Sequence, residues 1–168
     1  MAELCNLIYA NLPERLQLDC EVQYSGLINK SKLPGRLKGA RADLVVMKKD
    51  DGGNKNPEFI IEVKRGKLLS KIIREDLHRL AEARSALKGV RAVLFLISES
   101  SRPSDFVSEE GVSLSGKHNI SDSGPSAGYY KVRRTFKAAQ AFTKTEKAHY
   151  ACLIEVYPNS QKRSSSIA

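Results

Sequence analysis

The sequence predicts an α/β protein in which a mixed sheet is flanked by helices. Three observations lead there. Residues 16–24 alternate, with Leu16, Leu18, Cys20, Val22 and Tyr24 on one side and Gln17, Asp19, Glu21 and Gln23 on the other. That is the period-two pattern of a half-buried strand. Residues 67–88 then change to a helical period, with Leu69, Ile73, Leu77, Leu80 and Leu87 in one apolar stripe. Residues 92–97 read Ala-Val-Leu-Phe-Leu-Ile, apolar on both faces, as a central parallel strand would be. A strand at 58–64 precedes that helix, so strand, helix and buried strand form a βαβ unit, expected to cross over right-handed.

The other elements follow in order. Residues 2–11 suit a short helix with Leu4, Leu7 and Ile8 inward, ended by Pro13. Residues 25–39 carry Lys30, Lys32, Arg36 and Lys38 around Pro34-Gly35 and read as a basic loop. Residues 40–47 make a second strand, and Asp50-Asp51-Gly52-Gly53-Asn54 is a turn signal before the third. Gly66 breaks that third strand, and Gly89 suits the position just past a helix C-terminus. Residues 98–128 hold ten serines, four glycines and a net charge of −3, against +12 for the rest of the +9 chain. This stretch is expected to be a long mobile loop between a core at 1–97 and a basic part at 129–158 that completes the same domain. Within that part, residues 130–136 suit an amphipathic strand or a helix start, and 137–142 permit helix. Residues 148–157 alternate through Tyr150, Cys152, Ile154 and Val156, and 159–168 read as a flexible tail.

Bulk properties narrow the function classes. The 168 residues fit one domain with a real core, and 41% hydrophobic residues is ordinary for a globular chain. A net charge of +9 and a pI of about 9.5 suit a polyanionic partner. Cys5, Cys20 and Cys152 include no C-x-x-C pair, so reduced thiols are expected, with neither a zinc site nor a disulfide framework. The N-terminus lacks a secretory pattern and no apolar run approaches a membrane span, so a soluble, cytoplasmic protein is expected.

The chemistry concentrates between residues 43 and 64. Asp43 opens one apolar strand, and Glu62-Val63-Lys64 closes the next. Strand residues two apart share a face, so Glu62 and Lys64 stand side by side, and a hairpin would bring Asp43 close. Two carboxylates hold a hard cation such as magnesium, and a nearby ammonium steadies a water or a phosphate. That is the equipment for phosphodiester hydrolysis. The plain alternative is a solvated strand face bearing a salt bridge. Against it, Ile60 shares the face of Glu62, and the helix and two-sided apolar strand imply a covered sheet, where unneeded charges are costly. His78 reads as solvated on the polar side of the helix beside Lys71 and Arg74. His118 and His149 have no partners at zinc-ligand spacing. Arg133 and Arg134, interleaved with Tyr129, Tyr130 and Phe136, suit backbone contact with stacking aromatics. Lys30, Lys32, Arg36, Lys38 and Arg41 lead into Asp43 as a phosphate track would.

Asp43 with Glu62-Val63-Lys64, in the order helix, strand, acidic strand, Glu-x-Lys strand, helix, strand, resembles the PD-(D/E)xK nuclease superfamily. The resemblance covers roughly residues 1–97. Ala42 stands where that family usually has proline. The resemblance implies a restriction-endonuclease-like fold and a magnesium- or manganese-dependent DNA endonuclease. It implies that Asp43 and Glu62 ligate the metal, with the Val63 carbonyl as a further ligand, and that Lys64 positions the attacking water. It also implies an upstream acid, for which Glu21 is preferred over Glu3, although Asp19 shares the face of Glu21. DNA-binding roles fall on Lys30, Lys32, Arg36, Lys38, Arg41, Lys71, Arg74, Arg133 and Arg134. Residues 40–97 are also similar to the archaeal Holliday-junction resolvases, and a small restriction or phage-type enzyme is the other form. A homodimer is expected, because one centre cuts one strand. The competing function is a nucleic-acid-binding or assembly module that keeps the fold without catalysis.

Overall fold

The computed structural model of the protein describes residues 2–66, 70–99, 101–121, 127–138 and 148–159. Its α-helices are α1 (Ala2–Ala10), α2 (Tyr24–Leu27) and α3 (Ser70–Ala86). Its strands are β1 (Leu16–Gln23), β2 (Arg41–Lys49), β3 (Lys55–Arg65), β4 (Arg91–Ser98), β5 (His118–Ser121), β6 (Gly128–Lys137) and β7 (Tyr150–Pro158). All seven strands join one mixed sheet in the order β1-β2-β3-β4-β7-β6-β5. β3 and β4 run parallel, with α3 as the crossover that parallel neighbours need, and every other neighbouring pair is antiparallel.

The core sits between α3 and one face of this sheet. Val45 of β2, Ile60 of β3, Leu94 and Leu96 of β4 and Ile154 of β7 meet Ile73, Leu77, Leu80 and Ala81 of α3, all buried. Buried side chains alternate on β7, and β4 is buried on both faces over most of its length because it lies mid-sheet. Ile73, Leu77 and Leu80 lie where the apolar stripe puts them, and Gly89 adopts φ 86°, a left-handed conformation open to glycine at little cost. Leu69 of that stripe, the helix-permissive residues 139–142 and the tail from 160 onward lie outside the described residues.

Several expectations change in detail. Leu7 is exposed and α1 buries no residue, because this helix rests mainly against the edge strand β1. Cys20, expected to face inward, is exposed beside Glu21, whose φ of 53° interrupts the strict alternation of β1. The basic loop at 25–39 opens with α2 and holds two 3-10 turns, Lys30–Lys32 and Gly35–Leu37, with Tyr24, Ile28 and Leu37 in the core. The serine-rich stretch is not structureless. It contributes β5 to the sheet and Phe106 and Val107 to the core, and Val107 bridges Ser113.

The β6–β7 pairing is tight at its start. Gly128 is buried opposite Pro158, and a methyl group added there meets the Tyr157 carbonyl oxygen, with Ala81 Cβ and Pro158 Cα each 3.4 Å away. Backbone cannot yield as a flexible side chain does. Gly128→Ala is therefore expected to destabilise the fold by about 1–3 kcal/mol, read as a lower urea midpoint. An unchanged midpoint would mean this approach is looser than described.

Candidate active site

Two adjacent antiparallel strands build the acidic cluster. The β2–β3 register pairs Leu44 with Ile61 and Val45 with Ile60, which carries Asp43 opposite Glu62. The Val63 N–H donates to Asp43 Oδ2 at 2.7 Å, fixing that carboxylate against the next strand. Lys64 Nζ lies 3.9 Å from Asp43 Oδ2 and 3.7 Å from Glu62 Oε2. Asp43, about twenty residues upstream, thus converges with Glu62 and Lys64 as the strand pairing requires. Glu62 is 1% exposed, whereas the side chains of Asp43 and Lys64 keep 21% and 20% of their surface open.

Three further groups complete the cluster. Asp76 of α3 is 1% exposed, and its Oδ2 lies 3.3 Å from Lys64 Nζ, nearer than either strand carboxylate. Arg79, one turn on, is ion-paired with Asp76 and lies 3.8 Å from Glu62 Oε2. Tyr24, fully buried in α2, donates its hydroxyl to Glu62 Oε1 at 3.1 Å. Asp76 carried a legible signal, because it lies among Ile73, Leu77 and Leu80 at helical spacing, inside the stripe that faces the sheet. An acid in that stripe needs partners, and Arg79 and Lys64 supply them. Tyr24 was placed on the inward face by its alternation but without its bond to Glu62.

The electrostatics follow from burial. Burial raises the Glu62 carboxyl, Asp43 raises it further, and Arg79 and Lys64 oppose them, leaving it at about 7. Burial and the neighbouring Glu62 hold the Tyr24 hydroxyl far above the ordinary phenol range, so it remains a donor. Asp43, Glu62 and Asp76 against Lys64 and Arg79 leave a formal charge of −1 when all are ionised. Beside Lys64 on β4 lies Leu96, which lines a cleft with Ile73, Ser98, Arg102, Ser104 and Phe106.

Among the described residues, no group of three or more His, Cys, Asp or Glu side chains is arranged to hold a metal ion. Magnesium nonetheless often takes one or two carboxylates and keeps several waters. Asp43 and Glu62, on neighbouring strands beside a partly open face, are a donor set of that size. At Val63 it is the N–H that reaches Asp43. Glu21 is exposed between Cys20 and Val22, which pair with Leu44 and Ala42, and among the described residues no hydrogen bond or ion pair joins it to the cluster. Its left-handed backbone turns it out of the regular ladder. Asp19 pairs with Val45 and accepts from Gln17, and among the described residues no hydrogen bond or ion pair joins it or Glu3 to the cluster.

No protein-family model, curated protein or solved structure matches this chain.

The basic residues divide in two. Lys30, Lys32, Lys38, Arg41, Lys71, Arg74 and Arg134 are exposed. Arg36 is committed to Glu75 and Glu82, and Arg133 to Glu155 and Tyr157, so neither guanidinium is open to a phosphate without giving up an acid. Glu155 is 3% exposed, and although burial raises its carboxyl, hydrogen bonds from Arg91, Tyr157 and Arg133 bring it down to about 2. No described helix is long and apolar enough to cross a membrane.

Proposed function

We propose that this protein is a metal-dependent nuclease that hydrolyses phosphodiester bonds, with DNA favoured over RNA by the resemblance to PD-(D/E)xK enzymes. The observation that carries this reading is the meeting of Asp43, Glu62 and Lys64 at one partly open spot on a chain of net charge +9. Asp43 and Glu62 would hold a divalent ion, which supplies Lewis-acid polarisation of a phosphoryl oxygen and an acidified water. Lys64 offers its ammonium to the negative charge that builds on the phosphoryl oxygens. Lys64, between the two carboxylates, would also position the attacking water. Tyr24 and Arg79 hold the Glu62 carboxylate from either side, one on each oxygen. The exposed cations Lys30, Lys32, Lys38, Arg41, Lys71 and Arg74 are candidates for the phosphate backbone, and a homodimer would be needed to cut both strands of a duplex.

One observation favours a second reading, a nucleic-acid-binding module without catalysis. Lys64 Nζ already lies within 3.9 Å of three carboxylates and closest to Asp76, and with Arg79 it offsets all but one of their charges without an ion. Incubation with plasmid, single-stranded and branched DNA, with and without magnesium, separates the two. Nicking that needs the ion supports the nuclease. Lys64→Ala is then expected to slow cleavage by about 100-fold or more while keeping manganese binding in calorimetry, whereas Asp43→Ala loses both. Variants that cut as well as the parent would refute the assignment. DNA affinity is expected to fall steeply with salt, each cation that reaches a phosphate adding about −0.9 to the log–log slope. A flat response would mean the positive charge serves something else.

A further inference from the structure

Two of the three cysteines come together although they are far apart in sequence. Cys5 Sγ of α1 lies 3.6 Å from Cys20 Sγ of β1. Cys20 is exposed and Cys5 half-buried, whereas Cys152 is fully buried in the core beside Thr135. A disulfide needs about 2.05 Å between sulfurs, so closing this pair requires an approach of about 1.5 Å. The structure gives that movement to α1. The helix buries none of its residues, exposes Leu7 and Tyr9, and rests mainly on β1, so it can shift as a unit without disturbing the core between α3 and the sheet.

We propose that Cys5 and Cys20 are a redox pair that forms an intramolecular disulfide and fastens α1 to β1. The oxidant is a low-molecular-weight disulfide, RSSR. One protein thiol loses its proton and attacks RSSR, forming a protein–SR mixed disulfide and releasing one RSH. The second thiolate attacks the protein sulfur of that mixed disulfide, forming the Cys5–Cys20 bond and expelling the second RSH. Two protein thiols are oxidised and one RSSR is reduced to two RSH. The bond joins the helix to the strand one residue before Glu21, at the register position Cys20–Leu44 next to Asp43. Because the pair is open to solvent, thiols can reverse it, unlike a bond sealed in the core. This inference stands apart from the nuclease reading, since its test needs neither DNA nor metal.

The test uses the full chain in glutathione buffers from reducing to oxidising, quenched by alkylation and mapped by mass spectrometry. The expected product is a monomer lighter by two hydrogens, with the Cys5 and Cys20 peptides joined and Cys152 alkylated only after denaturation. Cys20→Ser should leave Cys5 as a free thiol or glutathione adduct with no internal bond. Chymotryptic cutting at Tyr9 should slow several-fold on oxidation and recover with dithiothreitol. Separate glutathione adducts on both cysteines in the unaltered chain, or a dimer joined between chains, would overturn the pair. An internal bond with unchanged cutting at Tyr9 would overturn its fastening role.

Discussion

Glu62→Gln should abolish metal-dependent cleavage and at the same time make the metal-free protein more stable at pH 8. The first half follows from the proposed chemistry, because an amide binds a hard cation poorly. A loss of about 100-fold or more is expected. The second half follows from burial. The carboxyl sits at about 7 in the fold, raised by burial and by Asp43, against 4.5 ordinarily. The folded protein therefore holds this proton more tightly than the unfolded chain does. The stability it lends is complete below about 4.5, is lost as pH rises through about 7, and leaves a penalty of at most about 3 kcal/mol above that. Glutamine keeps an oxygen for the Tyr24 hydroxyl and carries no charge to bury. Urea melts at pH 4 and pH 8 in chelator should show parent and variant close together at the lower pH and the variant ahead at the higher. A variant weaker than the parent at pH 8 would mean that Arg79 and Lys64 outweigh burial. Full cleavage by the variant would remove Glu62 from the chemistry.

Phe106→Ala should cost about 3–5 kcal/mol, as large aromatic deletions in cores do. Phe106 is 1% exposed, and its ring meets Tyr130 edge-on at 5.3 Å. Tyr130 in turn stacks on His118 and donates its hydroxyl to the Asp105 carbonyl. One residue thus ties the serine-rich stretch to β6 and α3. Val112→Ala, in the same stretch but 58% exposed, should stay within about 0.5 kcal/mol of the parent. Equal, small effects in urea unfolding would show that residues 101–121 fold independently of the sheet.

The parts of this protein legible in its sequence are those where a single period dominates. Alternation at 16–24 and 148–157, the helical stripe at 73–80 and the two-sided apolar run at 92–97 each became the expected element, because burial on one or both faces dictates such patterns directly. The strand acids were legible for the same reason, since Glu-x-Lys places both side chains on one face and a hairpin brings Asp43 across. What depended on long-range packing was not. Phe106 and Val107 carry no periodicity, and serine and glycine around them resemble a linker until the core claims those two side chains. The approach of Cys5 to Cys20, both free thiols, carries no signal in the sequence, because it depends on where α1 lies on the sheet. Arg36 and Arg133 looked open to phosphate, yet Glu82 and Glu155 are buried and must be paired by some cation.

The seven-stranded sheet ends in β1 on one side and in the short β5 on the other. An eight-residue border strand is normally a template on which a neighbouring chain can lay a matching one. Here Glu21 adopts φ 53° within that border, and Asp19 and Glu21 place two acids along it. An incoming strand would lose its alignment of donors and acceptors at Glu21. Self-association by strand addition is thereby discouraged at β1, and the homodimer of the proposed nuclease would have to form through some other face.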